Sequence, residues 1–167
     1  MPIRKLDVEA WRDAMLVATG ELDRSLCGEA RELSDVAHRR RTIYGTVRRR
    51  ELSDILRLHD FPDPVSHSGS RVPTTTPLQQ LFVLNSSLMQ ARAEALARRV
   101  RGECMDDLPG QVRFAHQLLF QRDGTTEEVA FGVDFLHSSQ ADGTPMDSAW
   151  RLYAQALLAS NEFQFVD

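Results

Sequence analysis

Residues 147–158 read DSAWRLYAQALL, and apolar side chains recur at helical spacing more regularly here than anywhere else in the chain. An amphipathic helix repeats its apolar positions every three or four residues. Asp147 is suited to cap such a helix, because an aspartate side chain accepts a hydrogen bond from a first-turn amide. The stretch predicts a helix whose buried face consists of Trp150, Tyr153, Ala154, Leu157 and Leu158.

The preceding segments contain further helix start signals. Thr125 and Glu128 match a capping box, in which each side chain bonds the backbone amide near the other. Pro109 suits the first turn of another helix, since proline has no amide hydrogen to lose at that position. The two helices are separated only by the tight turn at residues 121–124. We therefore expect them to pack antiparallel as a hairpin.

Another proline marks the start of a more apolar helix. Thr76 and Pro77 form a helix start, and leucine, phenylalanine and valine side chains follow on several sides. Apolar residues on several sides predict a helix that is buried on most of its surface. Residues 85–87 (Asn-Ser-Ser) interrupt the pattern, and both one bent helix and two separate helices fit the residues up to Val100.

The first half of the chain is less regular. Asp7 is placed to cap a first helix that ends near Gly20, with Leu6 and Trp11 spaced as a hydrophobic staple. Residues 51–58 predict a short helix, and residues 29–37 fit either a marginal helix or a surface connection. The segment from Thr42 to Val47 is rich in β-branched and aromatic residues and predicts a short extended segment.

These elements predict an all-α protein. We expect an irregular bundle of six or seven helices with helical hairpins and at most one short extended segment. The 167 residues suit a single helical domain, 1–167. Within it, residues 60–76 form a long proline-rich loop with Pro62, Pro64 and Pro73, and loops of this length are commonly functional or packed over a neighbouring domain.

Composition restricts the class of protein. Hydrophobic residues make up 42% and charged residues 26% of the chain, which is typical of a folded globular protein. The longest apolar runs fall short of the roughly 18 residues that a membrane span requires, and no secretory signal is recognisable at the N-terminus. As the chain stands, we expect it to stay in the cytoplasm. We expect Cys27 and Cys104 to be free thiols, with a single bridge between them as the alternative.

The loop from His59 to His67 contains the residues most suited to metal binding. Imidazole and carboxylate groups ligate zinc and related metals, which makes His59, Asp63 and His67 candidate ligands. Their spacing does not match the helical i, i+4 histidine pair of metalloproteases. The favoured interpretation is that the aspartates organise a rigid turn and the histidines face solvent, so we expect no metal, cofactor or catalytic site. The alternative is a metal-dependent or carbohydrate-related enzyme component that uses loop 59–76.

Arginines form two clusters, at residues 39–41 and 48–50, on either side of Tyr44. Guanidinium groups bind phosphates, and a tyrosine ring can stack on bases, so nucleic-acid binding through Arg39, Arg40, Arg41, Arg48, Arg49 and Arg50 is an alternative function. A nucleic-acid-binding domain is normally basic, whereas this chain has a net charge of -4. Ion pairs within the protein are the favoured interpretation, and nucleic acid is not expected as a partner.

Several segments together resemble one known family. They are LDVEAWRDAM at residues 6–15, RTIY at 41–44, VRR at 47–49, DFPDP at 60–64 and TTTPLQQLFVLN at 74–85. TTEE at 125–128, SNEF at 160–163 and the final Val166-Asp167 continue the series. In this order they resemble the C-terminal part of the planctomycete domain-of-unknown-function 1553 family, a cytochrome-associated domain.

The resemblance implies a part of a larger protein and no defined chemistry. Members are typically long, exported, multidomain proteins, and many carry an upstream cytochrome-c-like segment with a C-x-x-C-H motif. The resemblance carries no catalytic residues with it. Residues 23–40 depart from the family pattern, and His59 stands where a phenylalanine is expected. We therefore expect a non-enzymatic helical interaction or scaffold module. Because the first part of the family domain is missing from this chain, we also expect exposed apolar surface and self-association, or binding to other protein domains.

Overall fold

The computed structural model describes residues 3–104 and 107–166, and it confirms the all-α fold. Its described part contains eight α-helices, one 3-10 helix and two very short strands. The eighth helix, a single turn, was not predicted from the sequence. The helices are α1 (Val8–Ala18), α2 (Asp54–Leu58), α3 (Pro77–Asn85), α4 (Ser87–Glu103), α5 (Leu108–Phe120), α6 (Thr126–Ala141), α7 (Met146–Ala159) and α8 (Asn161–Gln164).

The core lies around α4 and α7, which pack along each other and against α1, α3, α5 and α6. The predicted stripe on α7 is buried at four of its five positions, with Leu157 partly buried. The hairpin of α5 and α6 packs against α7. The most deeply buried apolar side chains of the helices include Met15, Val83, Met89, Leu96, Val112, Leu136, Trp150 and Leu158.

Two of the predicted helix starts are confirmed in detail. Thr125 and Glu128 form a capping box at α6, and Thr76 and Gln79 form a second one at α3. Ser86 separates two helices, because it ends α3 and its side chain caps α4 by accepting a hydrogen bond from the amide of Met89. The interruption at residues 85–87 thus marks two helices and not one bent helix.

The side-chain caps predicted at Asp7 and Asp147 are not formed, although Asp7 does occupy the N-cap position of α1. Asp7 precedes α1, but its side chain accepts no capping hydrogen bond, and it lies 3.8 Å from Arg71 instead. Asp147 lies inside the first turn of α7, which Pro145 precedes, and it forms an ion pair with Arg101 of α4. In both places an arginine from a distant segment competes with the local amide for the carboxylate.

The extended structure is not where the sequence placed it. Thr42–Tyr44 forms a 3-10 helix, so the prediction of an extended segment over 42–47 is wrong for its first half. The strands are β1 (Arg4–Lys5) and β2 (Phe165–Val166), which pair antiparallel and join the two ends of the described chain. Each strand has only two residues and its partner lies at the other end of the chain, so the local sequence contains no pattern that would predict this pairing.

Helix α3 is less buried than predicted. Gln79 and Val83 face the core, whereas Leu78, Leu81 and Leu84 are 61%, 52% and 52% exposed. The apolar residues around α3, whose spread predicted burial on most sides, belong to two separate faces. One face packs inside the protein and the other is in contact with solvent.

Residues 19–53 contain no α-helix, and arginines hold much of this long connection in place. Arg92 on α4 is buried, pairs with Glu21 at 2.7 Å and donates a hydrogen bond to the carbonyl of Val36. Arg99 donates to the carbonyls of Val17 and Ala18 in the last turn of α1, where the Val17 carbonyl also accepts a hydrogen bond from the amide of Gly20. The guanidinium groups thereby take over the role that backbone amides play in regular structure. The marginal helix considered for residues 29–37 is not formed.

In residues 3–104 and 107–166, none of the helices combines the length and the apolarity that a bilayer crossing needs.

Candidate functional site

A groove runs beside α1 and is the feature best suited to receive another molecule. The N-terminal turns of α1, the segment 41–47 and the loop between α2 and α3 form its sides, and Leu33 and Leu56 form its floor. It encloses about 530 Å³. Its lining residues are Asp7, Glu9, Ala10, Asp13, Leu33, Arg41, Thr42, Ile43, Gly45, Val47, Leu56, Phe61 and Arg71.

The floor of the groove is apolar and deeply buried. Leu33 and Leu56 are each 1% exposed and belong to the hydrophobic core. Gly45 lets the chain pass directly over Leu33, since a Cβ at this position would lie 2.4 Å from a methyl carbon of Leu33. Any larger residue at position 45 would force the segment 41–47 away from the floor and change the shape of the groove.

Apolar side chains at the sides of the groove remain in contact with solvent. Ile43 is 75% exposed and Val47 is 47% exposed. Phe61 is partly buried and lies under the guanidinium of Arg71, whose central carbon is 5.2 Å from the ring centroid. Exposed apolar groups grouped around a concave surface are typical of a binding site, whereas isolated ones are common on any protein.

Arginine–carboxylate pairs form the rim. Arg71 donates two hydrogen bonds of 2.7 Å to the two carboxylate oxygens of Glu9. Arg41 donates one of 3.2 Å to Asp13. The hydrogen bonds from Arg71 hold the pKa of Glu9 below its ordinary value, and the same pair raises the pKa of Arg71. These groups therefore stay charged at neutral pH.

Asp13 connects the rim to the 3-10 helix. One of its oxygens accepts hydrogen bonds of 2.7 Å from both the amide and the hydroxyl of Thr42, the first residue of the 3-10 helix. The Asp13 carboxylate thus acts as a cap supplied by α1, and it replaces the local cap that this short helix lacks. This contact explains why Thr42 is buried while its neighbour Ile43 projects outward.

Arg12 supports the same segment from the inside. Its side chain is 1% exposed, and it donates hydrogen bonds to the carbonyls of His38 and Arg40 and to the hydroxyl of Thr42. Burial lowers the pKa of Arg12 to about 10, so the group remains protonated at neutral pH. A buried guanidinium without its carbonyl partners would be strongly unfavourable, which ties residues 38–42 to α1.

The start of the proline-rich loop is anchored by Asp60. The backbone of Asp60 has a φ of 60°, and its carboxylate accepts hydrogen bonds from the amide of Thr74 at 2.9 Å and from its hydroxyl at 2.5 Å. Lys5 pairs with Asp60 at 3.4 Å and donates to Gln79 at 2.8 Å. Hydrogen bonding to Thr74 and the charge of Lys5 lower the pKa of Asp60 despite its partial burial. The network closes the loop over residues 60–74 and so positions Phe61 and Arg71 at the groove.

The structure does not bring the three candidate metal ligands together. His59 is buried, stacks on Trp11 with ring centroids 4.7 Å apart, and donates a hydrogen bond of 3.0 Å from Nδ1 to the carbonyl of Ile55. Asp63 accepts hydrogen bonds from Val65 and Ser66 in a local turn. His67 is exposed. Among the described residues, no group of three potential ligands surrounds a common point.

His59 therefore lies in the core and not in solvent, where the favoured interpretation placed it. Burial lowers its pKa to about 4, so the ring is neutral at neutral pH. Its aromatic neighbours explain why a phenylalanine would fit the same position.

The two arginine clusters are mostly engaged within the protein. Arg39 pairs with Glu21, Arg41 with Asp13, and Arg48 with Glu32. Arg40 lies 3.9 Å above the ring of Tyr44 and donates to nearby backbone carbonyls, so one face of that ring is covered. Arg49 and Arg50 are exposed. The clusters thus do not form one continuous basic surface with a free aromatic ring. Cys27 and Cys104 are both free.

Sequence reasoning missed most of the groove. Arg71 lies in a loop without periodicity, and Leu33 lies in a polar stretch, so neither carries a local signal. Ile43 was assigned to an extended segment. The only indirect signal is that four of the segments that carry the family resemblance, at residues 6–15, 41–44, 47–49 and 60–64, each contribute lining residues to the groove.

Comparison with known proteins places the chain in a family. The family model "Protein of unknown function (DUF1553)" matches residues 1–136, and the chain therefore belongs to this family. No curated protein and no solved structure matches the chain significantly. The match includes the whole groove and ends within α6. The resemblance quoted for residues 160–163 lies beyond it, and Asp167 lies outside the described residues.

Proposed function

We propose that this chain is a non-enzymatic helical interaction module whose groove beside α1 binds a short segment of another protein. The segment would place an apolar side chain between Ile43 and Val47 and a lysine or arginine next to Asp7. The observation that carries the proposal is the 75% exposure of Ile43 at the side of a concave, apolar, arginine-rimmed surface.

The apolar part of the groove supplies a driving force for binding. Burial of an exposed isoleucine or valine side chain contributes on the order of 1–2 kcal/mol through removal of apolar area from water. Ile43 and Val47 project from a segment that Arg12, Asp13 and Gly45 hold in place. A rigid site loses little conformational entropy on binding, so more of the burial energy appears as affinity.

The charge of the rim supports a basic partner. Three carboxylates and two guanidinium groups line the groove, so one carboxylate charge is left over. Asp7 is the least engaged carboxylate, because its side chain is 60% exposed and its ion-pair contact to Arg71 is the long one at 3.8 Å. A lysine or arginine of the partner would form an ion pair with Asp7. This ion pair would orient the bound segment more than it would raise the affinity.

The chemistry of the lining residues supports a binding role over catalysis. None of the groove residues in the described chain is a histidine, cysteine, serine, lysine or tyrosine. The carboxylate of Glu9 has a lowered pKa and is held by Arg71, which makes it a poor proton donor or acceptor at neutral pH. The described histidines with shifted pKa values, His38, His59 and His116, are buried elsewhere in the fold.

A displayed random peptide library tests the proposal directly. We expect the purified chain to select peptides with one large apolar residue next to a lysine or arginine. A selected peptide should bind Ile43→Asp at least about 10-fold more weakly by calorimetry, which corresponds to about 1.4 kcal/mol. Val65→Asp is the matched control, because Val65 is 69% exposed but does not line the groove. Asp7→Asn should weaken binding less and reduce its dependence on salt.

Two results would reject the proposal. One is a library selection that enriches no peptide above the background of an unrelated protein. The other is a selected peptide that binds Ile43→Asp and Val65→Asp equally well.

A further inference from the structure

We infer that a small cavity next to the groove is the subsite for the basic side chain of the bound segment, and that this cavity selects lysine over arginine. In this subsite Nε2 of His59 is the buried hydrogen-bond acceptor for the lysine ammonium. The inference rests on the proposed function, and it names the residue that the groove requires of its partner.

The cavity adjoins the groove, because Asp7 and Arg71 line both of them. It encloses about 160 Å³. Its other lining residues are Arg4, Lys5, Leu6, His59, Asp60 and Pro73. A segment bound in the groove with a basic residue next to Asp7 can therefore extend that side chain into the cavity.

The volume of the cavity suits a lysine side chain. A protein cavity of about 150 Å³ holds one benzene molecule. A lysine side chain has fewer non-hydrogen atoms than benzene, whereas an arginine side chain has more. Leu6 and Pro73 offer apolar surface to the methylene groups of the lysine. Size therefore favours lysine.

His59 has a buried acceptor that the described residues leave without a partner. Its Nδ1 donates to the carbonyl of Ile55, so the proton of the neutral ring is on Nδ1 and Nε2 carries a lone pair. Nε2 is buried and forms no hydrogen bond within the described part of the chain. Lys5 and Asp60, which line the same cavity, are the charged groups that act on the pKa of His59. Because an unsatisfied buried acceptor is unfavourable, a donor that enters the cavity gains from this nitrogen.

The charges around the cavity favour a cation next to Asp7. Two cations of the wall, Lys5 and Arg71, already hold carboxylates of their own, Asp60 and Glu9. The Asp7 side chain, in contrast, is 60% exposed and lies 3.8 Å from Arg71. Asp7 is therefore the carboxylate of the cavity that is best able to accept a new partner.

An ammonium group matches this arrangement of acceptors. It has three donors, of which one can reach Asp7, one can reach Nε2 of His59 and one can remain in water. These contacts offset the cost of removing the charge from solvent. Arg4 is a further cation of the wall, but it is exposed, and solvent screens its charge.

Nitrogen-15 NMR of the histidine rings tests the inference without a peptide. The wild-type chain, labelled at histidine, is titrated with butylammonium chloride as a lysine mimic and with butylguanidinium chloride as an arginine mimic. The Nε2 resonance of His59, assigned through its ring protons, should move saturably with butylammonium. Butylguanidinium should bind at least about 5-fold more weakly, because it is too large for the cavity.

Substitution of the carboxylate supplies the matched control for this titration. Asp7→Asn should raise the dissociation constant of butylammonium at least about 5-fold, because the ion pair is lost. Asp54→Asn should leave it unchanged, since the Asp54 side chain is 68% exposed and does not line the cavity. Both positions are exposed enough for the variants to fold.

A double-mutant cycle with a peptide from the library connects the cavity to the groove. Norleucine in place of the peptide lysine keeps the methylene groups, and His59→Phe keeps an aromatic ring next to Trp11. Each single change should weaken binding at least about 5-fold, and both together little more than either alone. Arginine in place of the peptide lysine should weaken binding to a similar extent.

The possible results separate this inference from the proposed function. An Nε2 resonance that does not move, or equal affinity for the two mimics, would overturn the inference even where peptides bind at the groove. Equal affinity for the lysine and arginine peptides would do the same. A library that returns no peptide rejects the proposed function, and the lysine selectivity of the cavity then stands or falls with the butylammonium titration.

Discussion

Arg71, in the loop between α2 and α3, donates two hydrogen bonds of 2.7 Å to the carboxylate of Glu9 on α1, 62 residues earlier in the chain. The planar guanidinium matches both carboxylate oxygens at once, which a lysine ammonium does not do. The pair attaches the proline-rich loop to α1 and forms one side of the groove. It therefore connects the packing of the loop with the shape of the candidate site.

Replacement of Arg71 by lysine should weaken this attachment. Both side chains of the pair are about one third exposed, so solvent screening limits the expected loss to about 0.5 kcal/mol in the free energy of unfolding. Urea denaturation at neutral pH measures it. Arg57→Lys is the control, since the pair of Arg57 with Asp54 is about two thirds exposed and should contribute nothing measurable. Equal effects of both substitutions would contradict the role assigned to Arg71.

Arg12→Ala should be much more damaging than the loss of an exposed arginine. The substitution leaves a cavity and deprives the carbonyls of His38 and Arg40 of their donor. We expect a loss of roughly 3 kcal/mol, which is typical of a buried polar network with one partner removed. Urea denaturation of Arg12→Ala and of the control Arg49→Ala provides the comparison, and hydrogen exchange should show lost protection in residues 38–45. A loss below about 1 kcal/mol would contradict this account.

Asp60→Ala should release the proline-rich loop. The substitution removes the hydrogen bonds that Thr74 donates. It also places alanine at a φ of 60°, a backbone conformation that is strained for residues other than glycine, asparagine and aspartate. Limited proteolysis with subtilisin should cut residues 61–73 several-fold faster than in the wild type. Asp63→Ala removes only the local turn contacts to Val65 and Ser66 and should leave the cleavage rate nearly unchanged. Similar rates for the two variants would show that Asp60 does not anchor the loop.

His59→Phe should flatten the dependence of stability on pH. Burial lowers the pKa of His59 from 6.5 to about 4, so between these values the unfolded chain binds more protons than the folded one. The contribution of His59 to the free energy of unfolding is therefore fully present above about pH 6.5. It is lost as the pH falls toward 4, by roughly 3 kcal/mol at most. His67→Phe, which replaces an exposed histidine, is the matched control. The measurement is the free energy of unfolding at several pH values between 4 and 7, and equal slopes for His59→Phe and the wild type would contradict the prediction.

The comparison of sequence and structure separates local from distant interactions. The capping box of Thr125 and Glu128 was predicted because both partners lie within one turn, and its hydrogen bonds are present. Asp7 and Asp147 have the same local signal, yet each faces an arginine from another segment. Whether a carboxylate caps its helix depends on competition between the nearby amide and cations from distant segments. The nearby amide can be recognised from the sequence, whereas the distant cations cannot.

The candidate site shows the same limit more strongly. The loop 59–76 was singled out for its histidines and aspartates, whereas its contribution to the groove comes from Phe61 and Arg71. His59, one of the three candidate metal ligands in the sequence, is a core residue whose ring stacks on Trp11. Which side chain of an irregular loop points inward depends on the helices that it crosses, and those helices are far away in the chain.

The amino-acid sequence by itself determined the all-α class and the places where most helices begin, because apolar spacing and capping act within a few residues. Tertiary structure alone decided which arginine meets which carboxylate, that Ile43 projects beside a groove, and that the outer face of α3 stays in contact with solvent. These outcomes depend on residues that are dozens of positions apart, and folding brings them together only through the packing of the core.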